Sequence, residues 1–174
     1  CEYDSILGIF RNPLAKKTGK RYITADIARF GADKANVAVW DGWVVIDYRV
    51  FEVSKTTEIQ LCIEHFCIRY NIPKHRAIAD YTGVGGGVVD NCKIKGFVNG
   101  SPPFEGENYK NLQTQCGYKL ADKINKNEIG FEADISEEEK ECIIIDLEQL
   151  QTWNVDNDKR LELKPKEQIK IDIG

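Results

Sequence analysis

The 174 residues include no methionine and only two histidines, and no apolar run approaches the roughly 20 residues that a membrane-spanning helix needs. That last absence excludes a helical span within the chain, and no stretch has the charged-then-apolar pattern of a secretory signal. His65 and His75 stand in no HExxH-like array, which removes a common helical zinc motif and leaves both as exposed or hydrogen-bonded imidazoles. The six cysteines, at positions 1, 62, 67, 92, 116 and 142, make no C-x-x-C pair and no zinc-finger spacing with histidine. Reduced, buried thiols are expected, with Cys62, Cys67 and Cys116 on apolar helix positions. A net charge of −4 speaks against a surface wholly devoted to nucleic acid. A whole-chain sum also hides local basic patches and counts the acids of any metal site against them. The chain opens at Cys1, which fits a segment of a longer polypeptide; the loss of modified methionines from the written sequence would explain their absence equally well.

What is present is enough for one folded domain, because a chain of this length buries about 70% of its unfolded surface. Arg21 to Val50 is the most informative stretch. Ile23, Ala25 and Ile27 alternate with Thr24, Asp26 and Ala28, the period of a strand with two unlike faces, so Asp26 projects from one defined face. A loop carrying Gly31, Asp33 and Lys34 follows, and two β-rich runs then flank Asp41-Gly42, a hairpin signal. Three antiparallel strands are therefore expected first. Ile59, Cys62, Ile63, Phe66, Cys67 and Tyr70 recur at helical spacing, predicting a helix capped by Ser54 or Thr56 and running to Arg69.

His75 to Asp80 is a short strand ending in a second carboxylate, followed by glycines, a short helix with Val88, Val89 and Cys92, and another strand near Gly96 to Gly100. Leu112, Cys116, Leu120 and Ile124 predict an amphipathic stripe, and Ser136 with Glu139 a capping box for a helix bearing Ile143, Ile144, Leu147 and Leu150. A late strand at Arg160 to Pro165 and a last helix opened by Pro165 complete an α/β layered pattern with mixed strand directions. Residues 1–20 show no clear period.

An ionised carboxylate on a central strand is costly unless something positive neutralises it, and a metal ion does so most strongly. Asp26 and Asp80 each end an apolar strand beside a Gly-containing turn, so the two acids are expected to meet in one cleft. There Asp26 would bridge two ions, Asp80 take one, and Asp33 approach from its loop, with hard oxygen ligands selecting Mg²⁺ or Mn²⁺. On spacing alone, ordinary surface acids at strand ends satisfy the pattern equally. Gly83, Gly85, Gly86 and Gly87 are compatible with a phosphate cradle or with packing clearance at a strand-to-helix turn, and no Walker lysine follows them. Lys34, Lys164 and Lys166, and the helix lysines Lys119, Lys123 and Lys126, either face solvent or track DNA phosphates. Trp40, Trp43 and Trp153 are expected to pack in the core or hairpin rather than to stack on bases.

The segments ADIARFGADK, IADYTGVGGGVVD, YKLADKINKNEIGF and LELKPKEQIK, in that order, resemble the C-terminal nuclease domain of the large terminase subunit of tailed bacteriophages, in the RNase H-like superfamily. The resemblance implies an RNase H-like mixed sheet over residues 21–174, three antiparallel strands followed by parallel ones and flanked by helices. Residues 1–20 become a linker from an upstream ATPase motor. It implies Asp26 and Asp80 as metal ligands, with Asp33 drawn into the site, two Mg²⁺ or Mn²⁺ ions, and cleavage of concatemeric double-stranded DNA during packaging. The small terminase subunit and the portal follow as partners, and the bacterial host's cytoplasm as location, with no role for a membrane. The family's third acid is expected beyond Gly174, Asp172 falling too early for it, so the nuclease domain is expected to be truncated at its C-terminal end. Two rivals are an actin- or sugar-kinase-like nucleotide-binding module and a DNA-docking domain of the same fold without catalysis.

Overall fold

The structure is a computed structural model that describes residues 1–27, 34–52, 55–83, 85–153, 160–165 and 168–169. In chain order these form α1 (Tyr3–Gly8), β1 (Arg21–Asp26), β2 (Ala35–Asp41), β3 (Val44–Phe51), α2 (Thr56–Arg69), β4 (Ala77–Asp80) and α3 (Gly85–Cys92). Next come β5 (Lys95–Phe97), α4 (Leu112–Asn125), β6 (Gly130–Phe131), α5 (Glu137–Glu148), β7 (Thr152–Trp153) and β8 (Glu162–Leu163). They divide into two compact units, one of residues 15–98 and 130–135, the other of residues 1–14, 99–129 and 136–174. Among the described residues no helix is long and apolar enough to cross a membrane.

The first unit is built on a six-stranded sheet in the order β5-β4-β1-β2-β3-β6. β1, β2 and β3 run antiparallel as the sequence predicts, while β4 lies parallel to β1, β5 to β4 and β6 to β3. The unit is α/β with the mixed sheet of an RNase H-like fold. β4, α3 and β5 make the expected crossover. The alternation in β1 buries Ile23 and Ala25 on one face, where they join Val37 and Val39 of β2 and Ala77 and Ala79 of β4. Ile59, Ile63 and Phe66 of α2 and Val88, Val89 and Cys92 of α3 cover that face, so the apolar stripes read from the sequence are the ones that pack. Lys55, not Ser54 or Thr56, occupies the cap position of α2: Thr56 is the first helical residue, Ser54 lies outside the described residues, and the Lys55 amide donates to the Glu58 carboxylate at 3.4 Å.

The hairpin turn falls one residue later than Asp41-Gly42. Gly42 takes φ +61° and Trp43 is exposed, while Asp41 closes β2 with only 4% of its surface accessible. The cause is a local demand for an acceptor: the Thr18 and Gly19 amides donate to Asp41 Oδ1 at 2.8 and 2.7 Å, and Arg21 Nε donates to Oδ2 at 3.2 Å. Burial works against ionisation there, but the Gly19 amide, the Arg21 side chain and the Thr18 amide outweigh it and hold the carboxyl below its ordinary range.

In the second unit, α1 lies within the segment expected as a linker and buries Ile6, with Ile9 buried just beyond it. Asn12 Nδ2 donates to the Asn127 and Ile129 carbonyls at 2.7 and 2.8 Å. On α4 the buried face differs from the expected stripe: Leu112 and Ile124 are inside, but Cys116 is exposed and Thr114, Gln115 and Gly117 are buried instead. Gln115 belongs inside because its amide is satisfied, accepting from the Phe104 amide at 2.8 Å and donating to the Phe104 carbonyl at 3.2 Å. The six thiols are free as expected, yet only Cys92 is fully buried, and Cys116 and Cys142 are exposed. Ser136 and Glu139 form the predicted capping box of α5. The Gln168 and Ile169 amides donate to the Pro165 carbonyl at 3.0 and 3.1 Å, and the rest of the last helix expected from Pro165 lies outside the described residues.

Candidate functional site

Asp26 is the last residue of β1 and Asp80 the last of β4. The two strands are parallel neighbours in the register Ile23 with Ala77, Thr24 with Ile78 and Ala25 with Ala79, so Asp26 and Asp80 are the next facing pair. Their faces follow from burial: Ile23, Ala25, Ala77 and Ala79 are in the core, and the residues between them, Thr24 and Asp26 with Ile78 and Asp80, occupy the opposite face. Neighbouring strands lie about 4.8 Å apart, so two like charges are presented side by side on one face, an arrangement that a divalent cation stabilises.

The chain beyond β4 fixes the second acid. Thr82 donates from its amide to Asp80 Oδ1 at 2.9 Å, and its hydroxyl lies 2.8 and 2.7 Å from Oδ1 and Oδ2. This Asp-x-Thr turn holds the carboxylate in one orientation. Gly83 takes φ +59°, and a Cβ on Gly85 would sit 1.9 Å from the Asp80 carbonyl oxygen. Of the two sequence readings of these glycines, the close approach of α3 to the end of β4 is the one with a visible steric basis at Gly85; around Gly87 there is open space.

On the other side of Asp26, Asn36 of β2 is its register partner, half-buried and two residues from Lys34. Lys34 pairs with Glu52 at 2.7 Å. Trp40 Nε1 donates to Thr24 Oγ1 at 2.9 Å, which stiffens the same face and accounts for the tryptophan as a packing residue. Lys164 belongs to the second unit, with its ammonium 5.8 Å from the Trp153 ring centroid and 3.5 Å from Gln151 Oε1. Lys119 of α4 and Lys126, at its C-terminal cap, pair with Glu107 and Asp122 at 2.8 and 2.7 Å, and Lys123 pairs with Glu128. Their charge is thus locally compensated, which favours the solvent-facing reading of that helix.

The structure therefore brings Asp26 and Asp80 together, while Asp33 and Lys166 lie outside the described residues. Among the described residues no group of three or more His, Cys, Asp or Glu side chains gathers at metal-binding spacing. Thr82 and Asn36 are the site neighbours that sequence reasoning missed. The Asp-Tyr-Thr order was a usable signal for the first, and only strand pairing reveals the second.

No protein-family model and no curated protein matches the chain. Solved structures do. The nuclease domain of the large terminase subunit of bacterial virus Sf6 superposes with a TM-score of 0.80 at 21% identity, over 99% of this chain and 90% of that one. A mutant of that domain with manganese and beta-thujaplicinol gives 0.80 at 20% identity over the same shares. The large terminase nuclease from thermophilic phage G20c with bound magnesium gives 0.55 at 13% identity, over 94% of this chain and 88% of that one. At these identities the likeness is one of fold, and it is the fold that the four sequence segments implied.

Proposed function

We propose, from the fold shared with large-terminase nuclease domains and from the acid pair that closes β1 and β4, that this chain is a divalent-metal-dependent DNA endonuclease domain of a phage large terminase subunit. The adjacency of Asp26 and Asp80 carries the reading. Two oxygen-donor side chains on one face, one of them already held by Thr82, suit Mg²⁺ or Mn²⁺, and nucleases of this fold have been solved with manganese and with magnesium. A pair of such ions, when bound, supplies activation of water and balances the charge that develops on the phosphodiester. Asp26 and Asp80 would hold the ions, Asp80 in the orientation set by Thr82, and Asp33 would join them as a further ligand.

In this reading Lys34, Lys164 and Lys166 contact DNA phosphates, with Lys34 exchanging Glu52 for the backbone. The substrate is concatemeric double-stranded DNA in the cytoplasm of the bacterial host. The partners are an upstream ATPase motor of the same polypeptide, the small terminase subunit and the portal. The test is Asp26→Asn and Asp80→Asn. Each variant is expected to lose Mn²⁺-dependent nicking of supercoiled plasmid by at least about 100-fold while its circular dichroism is unchanged. Undiminished cutting by either variant would overturn the assignment of that acid. Tight ATP binding without cleavage would instead favour a nucleotide-binding module, and DNA binding without metal binding a docking domain.

A further inference from the structure

Half of the described lysines and arginines of the sheet unit pair with acids: Lys17 with Glu132 at 2.6 Å, Arg21 with Asp41 at 3.2 Å, Lys34 with Glu52 at 2.7 Å, Lys74 with Glu64 at 3.7 Å, and Arg49 and Arg69 with Asp47 at 3.9 and 3.8 Å. Lys16, Lys20, Lys55, Arg76, Lys93 and Lys95 have no acidic partner among the described residues. Of these, Lys20, Arg76 and Lys95 share the face that carries Asp26 and Asp80. Lys20 and Arg76 flank the ring of Tyr22, at 5.6 and 5.8 Å from its centroid, and Tyr22 lies on β1 in the alternation that continues through Thr24 to Asp26. Lys95 is the register partner of Ile78, which alternates with Asp80 on β4.

Arg76 closes the short 3-10 turn that leads into β4, four residues ahead of Asp80, and Lys95 stands level with Ile78, about 7 Å back from Asp80 along the strand direction and one strand over. Tyr22 gives both cations one aromatic ring to rest on. A face with uncompensated positive charge leading to an acid pair attracts a polyanion along its length, and two metal ions at the acids would make it continuous.

Resting on the nuclease reading above, we infer that Lys20, Arg76 and Lys95, with Tyr22 as their support, form a docking track for the DNA backbone on the amino-terminal side of the acid pair. The track fixes where the duplex lies relative to Asp26 and Asp80 and reads no sequence, since its donors meet phosphates rather than base edges.

The test compares wild type with the triple variant Lys20→Gln, Arg76→Gln, Lys95→Gln, by fluorescence anisotropy on a short labelled duplex in Ca²⁺ across a salt series. Expected are at least about tenfold weaker binding and a salt slope shallower by about 3, with Mn²⁺ affinity by calorimetry unchanged. The double variant Lys119→Gln, Lys126→Gln, drawn from the compensated helix, should bind as wild type. The charge-preserving Lys20→Arg, Arg76→Lys, Lys95→Arg protein should recover both affinity and slope, which separates charge from folding. If wild type binds and cuts DNA and the triple variant binds with the same affinity and slope, this inference fails and the nuclease reading stands. Displacement of the duplex by polyglutamate at equal charge concentration would overturn it in favour of an acidic protein partner. If wild type neither binds duplex nor cuts it, both readings fall together.

Discussion

Gly85 offers the sharpest test of how the second acid is held. An alanine there would bring its Cβ to 1.9 Å from the Asp80 carbonyl oxygen and 2.9 Å from the Asp80 carbonyl carbon. Both are backbone atoms, so no side chain can rotate away; α3 and the end of β4 must separate by about 1.5 Å to reach ordinary contact. Overpacking of that kind costs about 2 to 3 kcal/mol, which at this length lowers the melting temperature by roughly 5 to 10 °C. The displacement falls on the residue whose carboxylate Thr82 orients, and a misplacement of about 1 Å at a reacting site costs on the order of 100-fold in rate. Gly87→Ala is the matched control: its added methyl meets nothing within 4 Å, and alanine in a helix is favoured by up to about 1 kcal/mol. Urea denaturation and Mn²⁺ calorimetry on both variants supply the readout. A Gly85→Ala protein as stable and as tight for Mn²⁺ as Gly87→Ala would refute the steric argument.

Thr82→Val removes the hydroxyl that touches Asp80 and keeps the shape; Mn²⁺ affinity should fall about tenfold and return in Thr82→Ser, measured by calorimetry. Asp41→Asn should cost about 2 to 3 kcal/mol at neutral pH, since the buried ion pair with Arg21 is lost and an amide NH2 can take the place of the oxygen that accepted from it, while the two amides keep only an uncharged acceptor. Because the folded carboxyl titrates below its unfolded value of about 3.9, its contribution is full above that pH and fades as pH falls through the folded value. The variant should therefore lack that part of the acid limb in a pH series of urea midpoints. Burial lifts the Cys62 thiol to about 11, so iodoacetamide at neutral pH should label exposed Cys142 well before Cys62, as followed by peptide mass spectrometry.

The sheet was legible because β1 and the helix α2 carry unmistakable periods: alternation in Ile23 to Ile27 and the Ile59, Ile63, Phe66 stripe each have one way to bury. That Asp26 and Asp80 end neighbouring strands was legible for the same reason, each acid closing an apolar strand beside a turn. What escaped depends on partners distant in sequence. Gln115 is inside because Phe104 satisfies its amide, and Cys116 is thereby turned out. Asp41 ends a strand instead of starting a turn because Thr18 and Gly19 need an acceptor. The six residues of α1 are too few to display a period, and β7 is a two-residue strand.

β1 reaches β2 and β3 through short connections, but it meets β4 only in parallel, after the chain has passed through the whole of α2. The antiparallel meander can assemble as soon as it leaves the ribosome, whereas joining position 26 to position 80 requires closing a long loop. A nascent or partly unfolded chain thus carries each acid separately, and whatever the two do jointly is withheld until that last pairing is made.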